Sequence, residues 1–159
     1  MAAEHGDRPD SWYWEQHWGR ARRGSTPVVL EWEGGASEGV LFDEGTPRTV
    51  TAILERLPLR IPMIHAIWSG DIVMSAERFP LGFDEKENET RLPRVGDLSW
   101  DPTFGEIAVT YGTAECRMPS GFNTIVVFGS LRTSLDELAR WCRRRRFDGM
   151  GELRLRHGA

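Results

Sequence analysis

Cysteine is nearly missing from this sequence. Cys116 and Cys142 stand far apart and form no Cys-x-x-Cys pair, which excludes a zinc or thioredoxin-like signature. Two isolated thiols read as reduced core residues of a cytosolic protein, with one disulfide between them as the alternative. Histidine is also sparse. Three of the four, His5, His17 and His157, lie near the ends of the chain. No His-x-His or His-Glu-x-x-His spacing supports a metal site built from His65 with Asp71 or Glu87. No metal and no cofactor are therefore expected. Nothing approaches the ~18 consecutive apolar residues of a membrane-spanning helix. The acidic opening MAAEHGDRPDSWYW has no apolar stretch of the secretory kind. Positive charge is not in excess either, since the formal net charge is -4 and the pI about 5.6. That balance argues against nucleic-acid binding through bulk electrostatics. A cytoplasmic protein with neither nucleic-acid nor membrane partners is the expectation.

What the chain does contain points to β structure. Seven Trp, seven Phe and seventeen Gly in 159 residues suit half-buried pleated surfaces and tight turns. The length is enough for one buried core. Residues 1–25 form a polar leader carrying Trp12, Tyr13, Trp14 and Trp18, then Arg20, Arg22 and Arg23. The composition of residues 1–10 suits disorder, whereas the aromatic cluster calls for packing on the barrel or on a neighbouring subunit. A membrane-surface helix is the alternative, opposed by Glu15 and the negative charge. Residues 26–159 read as one domain.

Strands are predicted at 27–33, 39–43, 61–75 (broken at Ser69-Gly70-Asp71), 96–100, 106–111, 123–129 and 152–156. The glycine in the break suggests a bulge or tight turn. A helix opens at Thr46-Pro47, with Thr46 as N-cap, buries Val50, Ile53, Leu54 and Leu57, and stops before Pro58. A second helix is capped by Thr133 or Ser134, with Asp136 or Glu137 completing a capping box, and buries Leu135, Leu138, Ala139 and Cys142. The expected fold is mainly β: about eight strands closed into a barrel, with two helices to plug its ends.

Four segments, taken in order, carry a resemblance. His65-Ala66-Ile67-Trp68-Ser69-Gly70-Asp71, Glu87-Asn88-Glu89-Thr90, Pro93-Arg94-Val95-Gly96-Asp97-Leu98 and Ile107-Ala108-Val109-Thr110-Tyr111-Gly112 resemble the prokaryotic DUF3830 family of the cyclophilin-like superfamily. The likeness spans roughly residues 27 to 157 and leaves the leader outside. It implies a cyclophilin-like closed barrel of eight strands with two capping helices, and little about chemistry. Prolyl isomerases of that superfamily carry a Phe-His-Arg strand and a Phe-x-x-Gln-x-Gly segment. Neither is present, so prolyl isomerisation is the disfavoured alternative.

The candidate ligand-binding residues are His65, Trp68, Glu87, Asn88, Thr90 and Tyr111. An imidazole is the group most easily poised near neutral pH, so His65 or Glu87 would serve as general acid or base. Trp68 offers a wall for a planar ligand. Asn88 and Thr90 lie on a loop, where groups that orient a polar ligand usually sit, and the Tyr111 phenol ends a strand beside Gly112. Each has a structural counterpart: a buried hydrogen-bonded histidine, a core indole, a solvated loop, a phenol on a backbone carbonyl. Ser69-Gly70-Asp71 reads as a turn, because no Gly-x-Ser-x-Gly surrounds the hydroxyl. Arg140 and Arg143-Arg144-Arg145-Arg146 spread around a helix and suit its C-terminal dipole. The functional expectation is binding of a small polar metabolite, or an unassigned reaction, in a pocket on the side of the barrel. A non-catalytic, homo-oligomeric interaction module is the further alternative.

Overall fold

Strand alternation decides which side chains fill the interior. In the computed structural model, which describes residues 19–159, Ile61 and Met63 on one strand and Ile107 and Val109 on another are at most 1% exposed and share one core. That core also takes Trp100, Phe128, Leu30, Leu41, Leu98 and Leu153. Each such side chain, fully buried, contributes about 1.5–3 kcal/mol of apolar transfer. Trp12, Tyr13, Trp14 and Trp18, on which the leader reading rests, lie outside the described residues.

The strands are β1 (Thr26–Trp32), β2 (Gly35–Leu41), β3 (Leu59–His65), β4 (Gly70–Ser75), β5 (Glu89–Thr90), β6 (Asp97–Asp101), β7 (Glu106–Ala114), β8 (Arg117–Met118), β9 (Gly121–Phe122), β10 (Ile125–Leu131) and β11 (Gly151–His157). Two helices, α1 (Pro47–Arg56) and α2 (Leu135–Asp148), join them. The hydrogen-bonded order is β2-β1-β11-β3-β4-β7-β6-β10, and β10 returns to β2. Every pairing is antiparallel. The result is the closed eight-stranded barrel expected, with β5 as a flap on β10 and β8–β9 as a separate hairpin.

Closure needs two backbones to approach closely. Gly39 of β2 sits opposite Leu131 of β10, and a Cβ there would run into the Ser130 carbonyl. β6 is buried along its whole length: Leu98 and Trp100 face the core, while Asp97 and Asp101 are held on the other side by charged partners.

The helices sit at opposite ends of β3. α1 ends at Arg56, three residues before Leu59, and α2 reaches His65 through Arg146. Thr46 and Ser134 stand at the N-cap positions expected, with Pro47 opening α1, but neither caps with its side chain. Thr46 gives its hydroxyl to the Phe42 carbonyl (3.1 Å) and caps nothing with its side chain. Ser134 takes a left-handed backbone (φ 53°) and makes no side-chain cap, while the Thr133 hydroxyl accepts from the Glu38 N–H (2.8 Å). The Thr46 hydroxyl is taken by a local carbonyl and that of Thr133 by a tertiary N–H. Both thiols are buried and free. Among the described residues no helix is long and apolar enough to cross a membrane.

Candidate ligand-binding groove

The segment from His65 to Asp71 changes direction twice, and that separates its side chains. β3 carries His65 inward on the same phase as Ile61 and Met63. The chain then leaves the strand through a 3-10 turn, Ile67–Ser69, and re-enters at Gly70 with φ of 99°. Between Gly70 and Ile72 the register with β7 shifts, which is the bulge expected there. Trp68 therefore stands on a helical turn rather than on the strand, and it is 53% exposed on the outside of the barrel.

The six candidates fall into three places. His65 and Tyr111 meet at the α2 end, with Nε2 and the phenolic oxygen 2.6 Å apart and the rings edge-to-face. The Arg146 guanidinium donates to His65 Nε2 (3.2 Å) and pairs with Asp71 at 3.6 Å. Burial and Arg146 hold the imidazole below its usual range, against the pull of Asp71, and burial pushes the Tyr111 phenol up.

Glu87, Asn88 and Thr90 are engaged elsewhere. Glu87 accepts from the Arg48 N–H (3.1 Å), the Thr49 N–H (2.6 Å) and the Thr49 hydroxyl (2.7 Å), so it caps α1 from 38 residues away. Its negative charge also complements the helix N-terminus. Asn88, in a left-handed conformation (φ 50°), donates to the Gly45 carbonyl. Thr90 is buried and accepts from the Leu92 N–H (3.2 Å).

Trp68 faces a different set. A groove of about 620 Å³ on the outer face of the barrel is lined by Trp68, Phe104, Glu106, Arg117, Met118, Pro119 and Asn123. Its floor continues to Ala66, Ile72, Met74 and Ala108, small and apolar side chains on the outward faces of β4 and β7 and the chain beside them. The walls are the 3-10 turn, the Asp101–Glu106 connection and the β8–β9 hairpin. Ser69 joins two of them: the Arg117 N–H donates to its hydroxyl (3.1 Å), and its carbonyl accepts from the Glu115 N–H (2.9 Å). The Ser69 side chain is thus a latch between turn and hairpin.

The residues match the family described as Protein of unknown function (DUF3830) over 28–157. The chain belongs to that family. No curated protein matches the sequence. Among solved structures, that of McbB in complex with tryptophan is 20% identical with a TM-score of 0.67, over 83% of this chain and 45% of McbB. The DUF3830 chain thus spans less than half of McbB's length. The solution structure of the hypothetical protein AF2241 from Archaeoglobus fulgidus is 15% identical with a TM-score of 0.57, covering 86% and 98%. These likenesses concern the fold, a barrel of cyclophilin-like type.

Within the groove of this DUF3830 member, the polar groups differ in how far they are already occupied. Asp101 is nearly fully buried and accepts from the Asn123 amide (2.6 Å) and the Thr103 N–H (2.9 Å), with Lys86 at 3.7 Å. The side chain of Glu106, its cross-strand partner, makes no hydrogen bond or ion pair with the described residues. Burial and the Asp101 carboxylate push the Glu106 carboxyl up, against Arg78. Cys116 lies in the floor with its thiol pushed up to about 12 by burial, so it is a spacer at neutral pH and not a nucleophile. No group of three or more metal-ligating side chains occurs among the described residues.

Glu106, Arg117 and Met118 were not among the sequence candidates. The available signal was a break in alternation. Ile72 and Met74 face outward on β4, as Ala108 does on β7, where a solvated strand face would carry polar residues.

Proposed function

We propose that this DUF3830 protein binds a small molecule in the outer groove, flat against Trp68. The observation that carries the reading is the groove itself. It has the volume of an ordinary ligand site, about 300–1,000 Å³, and it combines exposed rings of Trp68 and Phe104 with a few polar groups. A 53% exposed indole beside a 38% exposed phenyl over an apolar floor is apolar surface that neither the barrel core nor the capping helices use. Of the predicted residues the reading keeps Trp68; His65 and Tyr111 meet beside Arg146 of α2, Glu87 and Asn88 engage α1 and the chain before it, and Thr90 pairs with β10.

The carboxyl suited to acid or base chemistry in the groove is Glu106 rather than His65 or Glu87. It is half-buried, and burial and the Asp101 carboxylate push its carboxyl up, against Arg78, the kind of environment in which acid and base groups are commonly set. Ligand-observed NMR against a metabolite panel tests the reading, with L-tryptophan included because the fold neighbour McbB was solved with it. At least one compound is expected to bind the wild type and to lose binding in Trp68→Ala. Compounds that bind both proteins equally, or no binding by any member of the panel, would overturn it.

A further inference from the structure

Two side chains of opposite charge in the lining of the groove indicate what kind of molecule it takes, if the groove is the ligand site proposed above. Glu106 is an uncommitted carboxylate on the β6–β7 side. A half-buried carboxylate without a donor is destabilised by lost hydration, and an incoming N–H donor relieves that cost. Its neighbour Asp101 does not compete for the same donor, being occupied by Asn123, Thr103 and Lys86. The Asn123 side chain spends its N–H on Asp101 and lines the groove.

The hairpin wall carries the opposite sign. Arg117 is 54% exposed along its side chain and touches Glu115 only at 3.5 Å. Glu115 is already held by Arg91 through a shorter contact. One carboxylate therefore serves two guanidiniums, and Arg117 is the more loosely held of the two. Trp68, Phe104, Met118 and Pro119 complete the lining. Arg78 lies close enough to Glu106 to act on its charge, so the cationic end of a ligand is favoured at the carboxylate only if it makes a direct hydrogen bond.

We propose that the groove takes a zwitterion of the α-amino-acid class with a flat apolar side chain. Its ammonium sits on Glu106, its carboxylate sits on Arg117, and its side chain lies against Trp68 and Phe104. Charge-assisted hydrogen bonds at both ends give orientation, and the aromatic wall gives contact area.

Four probes that share one ring separate the contributions: L-tryptophan, tryptamine, indole-3-propionate and indole, titrated calorimetrically into wild type, Glu106→Gln and Arg117→Gln. Melting temperatures of the three proteins are compared first, to show that both variants are folded. In the wild type, tryptophan binds about tenfold or more tightly than indole, the size of a single charge-assisted bond, with the two singly charged probes between. Glu106→Gln weakens tryptophan and tryptamine and leaves indole-3-propionate within about twofold; Arg117→Gln weakens tryptophan and indole-3-propionate and leaves tryptamine within about twofold. Equal affinities for all four probes overturn the zwitterion and leave the groove reading standing. A Glu106→Gln effect of the same size on indole-3-propionate overturns the assignment of the ammonium to Glu106. Failure of all four probes to bind the wild type overturns this inference, and the reading beneath it falls only if the metabolite panel also yields no compound that loses binding in Trp68→Ala.

Discussion

His65 Nε2 and the Tyr111 phenolic oxygen lie 2.6 Å apart across the end of the barrel, with β4 between their two strands. Arg146 can only donate, so its contact with the same Nε2 fixes that atom as an acceptor and leaves the ring proton on Nδ1. Nδ1 is buried without a partner. The arrangement suits a neutral imidazole. Protonating the ring would place a second cation against Arg146 and cancel the acceptor that the guanidinium uses.

A pH dependence follows. The folded imidazole is held below its model value of 6.5, so the unfolded chain takes up the proton first as pH falls. Stability is then lost on acidification from about pH 6.5 downward until the folded ring also protonates. Urea midpoints at pH 7.5 and pH 5 should fall further for the wild type than for His65→Gln. Parallel falls in the two proteins would show that His65 does not carry the effect.

The pair of Arg22 with Asp97 fastens the start of the described chain to the barrel. Asp97 is fully buried; burial pushes its carboxyl up while Arg22 and Arg94 pull it down. Removing the arginine strands a buried charge, so Arg22→Met should destabilise by about 3–5 kcal/mol in urea unfolding. Adding Asp97→Asn should recover part of that loss. A single-variant effect below about 1 kcal/mol would mean that the carboxyl is already neutral in the folded protein.

Glu87 does for α1 what Thr46 was expected to do. Glu87→Ala should lower stability by about 1–2 kcal/mol, whereas Thr46→Val, which leaves the cap in place, should not reproduce loss of α1 protection in hydrogen exchange. Equal loss of α1 protection in both variants would contradict the assignment.

Ser69 ties the turn bearing Trp68 to the hairpin bearing Arg117. Ser69→Ala should speed hydrogen exchange at the Arg117 amide, which loses its acceptor, while amides of β1 and β11 keep their rates. An unchanged Arg117 rate would mean that the hairpin is held by other contacts.

The barrel was legible because its strands announce themselves by alternation: Ile61 and Met63, Leu98 and Trp100, and Ile107 and Val109 each repeat with period two. The helix faces were legible for the same reason, Val50 and Ile53 on α1 and Leu138 and Cys142 on α2 lying inside. The cap positions Thr46 and Ser134 were legible, but the group that caps α1 with its side chain, Glu87, was not, because it comes from 38 residues along the chain. The candidate site was half legible. Trp68 was identified as a wall, and His65 and Tyr111 were each singled out. Their meeting depends on the register of β3 and β7 against β4, which no local pattern encodes. Glu106 and Arg117 escaped notice because each looks like an ordinary charge beside a turn. Only the fold brings the two into the lining of one groove.

The most direct test of the groove is the indole N–H region of a 15N-labelled wild-type spectrum, where seven tryptophans report separately. Trp68 is assigned by its absence in Trp68→Ala. On adding L-tryptophan, or another compound that binds, the Trp68 signal should move progressively while the buried Trp100 signal stays fixed. Saturable binding that leaves the Trp68 signal unmoved, or moves other indoles instead, would contradict the account.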